Sequence, residues 1–116
     1  MMTFAADELA ELKSYCTNVA SAAEGGCTYL LLERLVLPDG CTPLVIDALL
    51  CPTPRDGYQS RLFFSDLVNS GRSLNWNANG VRILDRNWHA FSWKVERPGL
   101  RLAEILIRHL EAFTRC

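Results

Sequence analysis

Five thiols and two imidazoles are the side chains of this chain best suited to hold a metal. The cysteines stand at positions 16, 27, 41, 51 and 116, and the histidines at 89 and 109. The cysteine number is odd, no pair is spaced Cys-x-x-Cys, and neither histidine has a cysteine nearby. Structural zinc needs four clustered ligands, so this spacing argues against a metal site, and no cofactor is implied. Cys16, Cys27 and Cys51 are expected to be buried as small apolar side chains. The other chemical concentration is Trp76 to Trp93, which holds all three tryptophans and His89. Its run Asn87-Trp88-His89-Ala90-Phe91-Ser92-Trp93 shows neither helical period nor clean alternation. Large aromatics on an irregular segment anchor it to a core, either to complete that core or to hold polar groups in place for function.

The surrounding elements must fit one domain of 116 residues, long enough to fold without metal or disulfide staples. The net charge of −1 comes from 12 basic and 13 acidic residues mixed along the chain. With no block of one sign, nucleic acid and anionic membrane are poor partners. No apolar run approaches the roughly 20 residues that span a bilayer. The N-terminus has no charged region followed by an apolar one, so no signal peptide is expected, and free thiols point to a reducing cytoplasm.

Residues 4 to 24 read as an amphipathic helix. Leu9, Leu12, Cys16, Val19 and Ala23 step by three and four, Thr3 caps the start, and Gly25-Gly26 ends it. Cys27 to Leu37 is a first strand interrupted at Glu33-Arg34, Pro38-Asp39-Gly40 a turn, and Leu44 to Cys51 a second strand. The apolar density of these strands calls for a helix over one face. Pro52 to Tyr58 is a rigid loop, Arg61 to Ser65 a third strand, and Val81 to Leu84 a weak fourth. Pro98-Gly99 starts a last helix with the stripe Leu102, Ile105, Leu106, Leu110 and Phe113. Glu104–Arg108 and Glu111–Arg115 are i,i+4 pairs on its outer side, and His109 near its end is a structural cation suited to the helix dipole. The fold class is α+β, two-layered: an N-terminal helix, an antiparallel meander of three to four strands, an irregular Trp-rich segment and a C-terminal helix.

This order resembles the ubiquitin-conjugating (E2-like) superfamily. Gly57-Tyr58-Gln59-Ser60-Arg61-Leu62-Phe63-Phe64 is similar to its Tyr-Pro loop and following strand, with Gln59 where the family has proline. Asn77-Ala78-Asn79-Gly80 sits where the family has its Asn-bearing approach to the active site, and Trp88 ahead of a Leu-rich helix is similar to its Trp-Ser-Pro segment. The chain looks especially like short bacterial E2-like proteins encoded beside ubiquitin-like proteins, E1-like adenylating enzymes and JAB-type peptidases. The resemblance spans roughly residues 5 to 113, and its motifs are loose. It implies a carrier that receives a ubiquitin-like protein from an E1-like enzyme.

One departure stands out. The stretch that should hold the catalytic cysteine is Val81-Arg82-Ile83-Leu84-Asp85, and no cysteine lies between Cys51 and Cys116. Two expectations follow from the resemblance. Ser92 replaces the thiol and carries the modifier as an oxyester, with His89 three residues away as its base and Asn75, Asn77 or Asn79 stabilising an oxyanion. Alternatively the fold persists without chemistry and binds the ubiquitin-like protein or its E1-like enzyme, with Trp76, Trp88, Trp93 and Tyr58 as binding residues or core anchors. A reading outside the family is an adaptor that takes a peptide along a sheet edge.

Overall fold

The computed structural model describes residues 4–95 and 99–114. Among them the chain forms two α-helices, α1 (Ala6–Leu12) and α2 (Leu102–Leu110), and six strands: β1 (Asn18–Glu24), β2 (Cys27–Val36), β3 (Val45–Cys51), β4 (Arg61–Phe64), β5 (Ala78–Ile83) and β6 (Arg86–Ala90). A single 3-10 turn, Glu111–Phe113, continues α2. The strands make one antiparallel sheet in the order β1-β2-β3-β4-β6-β5. The first four are therefore a meander, and the β5–β6 hairpin joins its far side through Phe64 and His89.

Alternation within the apolar runs explains why both sheet faces are buried. Leu30 pairs with Leu50 and Leu50 with Leu62, and these side chains enter a core that both helices cover with Leu12, Leu102, Leu106 and Leu110. Leu49 pairs with Phe63, and with Tyr29, Cys51, Ile83, Trp88 and Ala90 it fills a second cluster on the opposite face. No helix covers that face among the described residues; the β5–β6 hairpin and the arginines of the 52–61 segment do.

The helix expected over residues 4 to 24 stops at Leu12. From Asn18 the chain pairs along its whole length with β2, closing on Glu24 and Cys27. Gly25 and Gly26, with φ of 58° and 81°, form the two-residue turn of this hairpin rather than a helix cap. An isolated 20-residue helix gains little in water compared with a strand that satisfies its backbone against a ready neighbour. The apolar stripe still reaches the core: Leu12 and Cys16 are buried there, and Leu9 and Val19 pack against it. The Glu33-Arg34 interruption is a β-bulge in β2, with Arg34 at φ 55° and its N–H bonded to Asp47 Oδ1 at 2.9 Å. Three carboxylates of α1 fasten α2. Glu8 Oε1 accepts the Leu102 N–H at 3.0 Å, and Asp7 and Glu11 take the Arg101 guanidinium at 2.8 and 3.0 Å. The Thr3 cap, the start at Pro98 and the Glu111–Arg115 pair lie outside the described residues.

A second correction concerns the Trp-rich segment. Residues 86 to 90 form a strand with Trp88 and Ala90 buried and Asn87 exposed. Phe91 onward breaks the alternation, which hides the strand from a reading of the whole run.

Candidate functional site

The three tryptophans hold the segment in place. Trp88 is 1% exposed, and its Nε1–H donates to the Ile83 carbonyl at 2.9 Å while the Arg86 guanidinium lies 4.7 Å over its ring. It has no free face, which corrects its reading as a binding residue. Trp76 is half-buried, edge-on to Phe91 and Phe64 at 5.1 and 5.9 Å. Trp93 is half-buried and ties the segment to α2, donating from Nε1 to the Arg108 carbonyl at 2.9 Å.

So anchored, Ser92 meets a loop far away in sequence. Its backbone N–H donates to the Asn75 carbonyl at 2.7 Å. Its Oγ accepts a hydrogen bond from the Tyr58 hydroxyl at 2.9 Å, and that hydroxyl accepts from Asn77 Nδ2 at 2.9 Å. Tyr58 is aimed by a tight turn in which Arg55 and Tyr58 exchange both backbone bonds at 2.9 Å. Asp56 and Gly57 at its corner have φ of 54° and 85°, the conformation that asks for glycine or aspartate.

Arg61 underpins the cluster. It is 4% exposed; its guanidinium donates to Asn77 Oδ1, lies 4.4 Å from the Tyr58 ring centre and is 3.6 Å from Asp56. The hydrogen bonds it shares with Ser92 and with Asn77, then the Arg61 and Lys94 cations, hold the Tyr58 phenol below its ordinary range. Tyr58 is therefore expected to ionise at lower pH than Tyr29, whose phenol burial pushes up to about 12. Phenolate absorbance should show the early transition, and Asn77→Ala should move it up. A titration in which Tyr58→Phe removes no early transition would refute this.

His89 does not join Ser92. Its Nδ1 accepts the Gly80 N–H at 3.2 Å, and among the described residues no hydrogen bond links the two side chains. The three asparagines also part company. Asn77 enters the cluster, Asn79 Nδ2 donates to the Trp76 carbonyl at 2.8 Å, and Asn75 contributes its backbone. Of the described thiols, Cys51 pairs with Arg61 across β3 and β4, and its Sγ bonds Thr53 rather than the cluster. Cys16, Cys41 and Cys51 are buried, and burial pushes their pKa values up. Cys27 is half-buried at the start of β2, and Cys116 lies outside the described residues.

Arg61 was not singled out from the sequence. Its signal is a charge at the head of the apolar strand Arg61-Leu62-Phe63-Phe64. A second unexpected group is His109, read as a structural cation suited to the dipole near the end of α2. It is 2% exposed, its Nε2 is 2.8 Å from Ser60 Oγ, and burial, then the Arg61 cation, push its pKa down to about 4.

These elements define an α+β protein with two helices on one face of a six-stranded antiparallel sheet and a Tyr58–Asn77–Ser92–Arg61 cluster at the junction of the 52–58 loop and the 91–93 segment. No family model, curated protein or solved structure matches the chain. No helix among the described residues is long and apolar enough to cross a membrane.

Proposed function

We propose that the chain is an E2-like component of a bacterial, cytoplasmic ubiquitin-like modification pathway, acting as a non-catalytic module that binds the ubiquitin-like protein or its E1-like enzyme. The observation that carries this reading is the convergence of Tyr58 and Ser92, 34 residues apart, at a 2.9 Å hydrogen bond in which no thiol of the described residues takes part. A helix ahead of a four-strand meander, a long excursion and a closing helix support the family reading in outline. The partner of Ser92 argues against chemistry: its Oγ bonds the Tyr58 hydroxyl rather than an imidazole or carboxylate, and a nucleophilic serine needs a neighbour that takes its proton away.

A second reading rests on the lowered Tyr58 phenol. Once ionised, Tyr58 would accept the Ser92 proton and let Ser92 carry the modifier as an oxyester, the role first assigned to His89 as base. Incubation with ATP, an E1-like enzyme and a ubiquitin-like protein from the same genome separates the two. Binding without a covalent adduct is the expected result. A reductant-resistant, hydroxylamine-labile adduct lost in Ser92→Ala would establish the oxyester carrier instead, and absence of both binding and adduct would end the E2-like reading.

A further inference from the structure

The two edges of the sheet are built differently. β5, at one edge, carries a register shift between Ala78 and Val81, with Gly80 at φ 68° and the charged Arg82 within the strand. Bulges and charges of this kind keep an edge from pairing with another chain. β1, at the other edge, has neither. Asn18-Val19-Ala20-Ser21-Ala22-Ala23-Glu24 pairs with β2 in unbroken register and holds no proline, lysine or arginine. The hairpin decides which of its backbone groups face outward. The two-residue Gly25-Gly26 turn makes Glu24 and Cys27 the closing hydrogen-bonded pair, so Glu24, Ala22, Ala20 and Asn18 turn their N–H and C=O groups toward β2. Val19, Ser21 and Ala23 turn theirs away, and among the described residues no strand or loop backbone meets them. Ala20, Ser21 and Ala23 are exposed.

We propose that β1 is a homodimer interface, pairing antiparallel with β1 of a second copy about a two-fold axis at Ser21 and joining the two sheets into one. The outward residues are placed evenly about Ser21. This register therefore sets Val19 against Ala23, Ser21 against Ser21 and Ala23 against Val19, and each outward N–H and C=O of the strand gains a partner. On the alternate positions Ala20 meets Ala22 and Asn18 meets Glu24. Glu24, the one charged residue of the strand, then faces an amide instead of its own counterpart, so no like charges oppose each other. Asn18 Nδ2 gives one of its two hydrogens to Glu33 Oε1 at 3.3 Å, which leaves the other for Glu24 of the second copy. The small side chains decide between occupants. A captured peptide is selected by pockets for its alternate side chains, and a strand of alanine and serine builds none; a second strand as small as itself fits. Pairing along one edge of 7 residues stays below about 1,200 Å², the small end of specific interfaces, so the dimer forms and dissociates with concentration. β1 lies across the sheet from β6, which leads into Ser92, so this surface is separate from partner binding at Tyr58 and Ser92.

Sedimentation equilibrium of the intact chain, from low to high micromolar concentration, tests this. The mass should rise with concentration from 13.0 kDa toward twice that value. Ser21→Pro removes an outward N–H that β2 does not use, a place where edge strands tolerate proline, and should leave a folded monomer. Ser21→Lys sets two like charges opposite each other at the axis. It should raise the dimer dissociation constant about fivefold at low salt, with part of the loss recovered as salt is added. That salt dependence keeps the test decisive if circular dichroism shows Ser21→Pro unfolded. A dimer equally stable in wild type and Ser21→Lys, or one that persists in folded Ser21→Pro, would overturn the proposal. A wild type that stays monomeric throughout would overturn it too and leave the edge to a peptide of another protein. Ser21→Lys should bind the ubiquitin-like protein and the E1-like enzyme as wild type does, so failure here leaves the reading of Tyr58 and Ser92 standing.

Discussion

Trp88→Ala is expected to lower the folding free energy by about 3–5 kcal/mol, the range for truncating a large buried aromatic. Trp88 is the largest side chain of the second cluster, 1% exposed against Tyr29, Leu49, Cys51, Phe63 and Ile83. Among the described residues that cluster has no helix over it, so a cavity there does not close by one of the two helices moving in. Trp88→Phe separates two contributions. It keeps most of the apolar area but leaves the Ile83 carbonyl without its indole partner, which costs about 1–3 kcal/mol for a buried acceptor. Urea unfolding followed by far-ultraviolet circular dichroism measures both. A loss under about 1 kcal/mol in Trp88→Ala would mean that the ring is available to a partner after all.

Acidification is expected to destabilise the protein through His109 by up to roughly 3 kcal/mol, the free-energy equivalent of a pKa moved from 6.5 to about 4. The folded state disfavours the imidazolium because burial strips its hydration and because Arg61 lies nearby; the unfolded chain protonates freely. Between pH 6.5 and about 4 the unfolded state binds more protons, so stability falls as pH falls through this window. It is fully present above 6.5, and the contribution of His109 levels off below about 4. His109→Gln keeps a donor and an acceptor for Ser60 without a titrating group. Its urea midpoint should change less across the window than that of wild type. Equal slopes would show that His109 is not the group responsible.

Much of the meander was legible because its residues carry a local signal. Leu44 to Cys51 is an apolar run bounded by Pro43 and Pro52, Arg61 to Ser65 is a shorter one between Ser60 and Asp66, and β3 and β4 fall within a residue of them. Two elements misled for physical reasons. The spacing Leu9, Leu12, Cys16, Val19, Ala23 satisfies a helical period, yet pairing with β2 decided residues 18 to 24. Gly25-Gly26 fits a helix end and a hairpin turn equally well, and only the partner strand distinguishes them. Trp88 alternates with Ala90 as a strand should, but Phe91 and Trp93 follow at once and obscure the period. Of the site, Ser92, Tyr58 and Asn77 were picked from the chain. Their joining is a tertiary fact, as is the turn of His89 toward Gly80 and the pairing of His109 with Ser60. Neither bond spans a distance that sequence spacing can report.

Binding of a ubiquitin-like protein and an E1-like enzyme from the same genome, measured by isothermal titration calorimetry on wild type, Tyr58→Ala and Ser92→Ala, tests the central claim most directly. The account predicts a saturable interaction with at least one of them. Tyr58→Ala should weaken it by about tenfold or more, equivalent to about 1.4 kcal/mol, while circular dichroism shows an unchanged fold. No heat of binding to either protein, or binding indifferent to both substitutions, would contradict it.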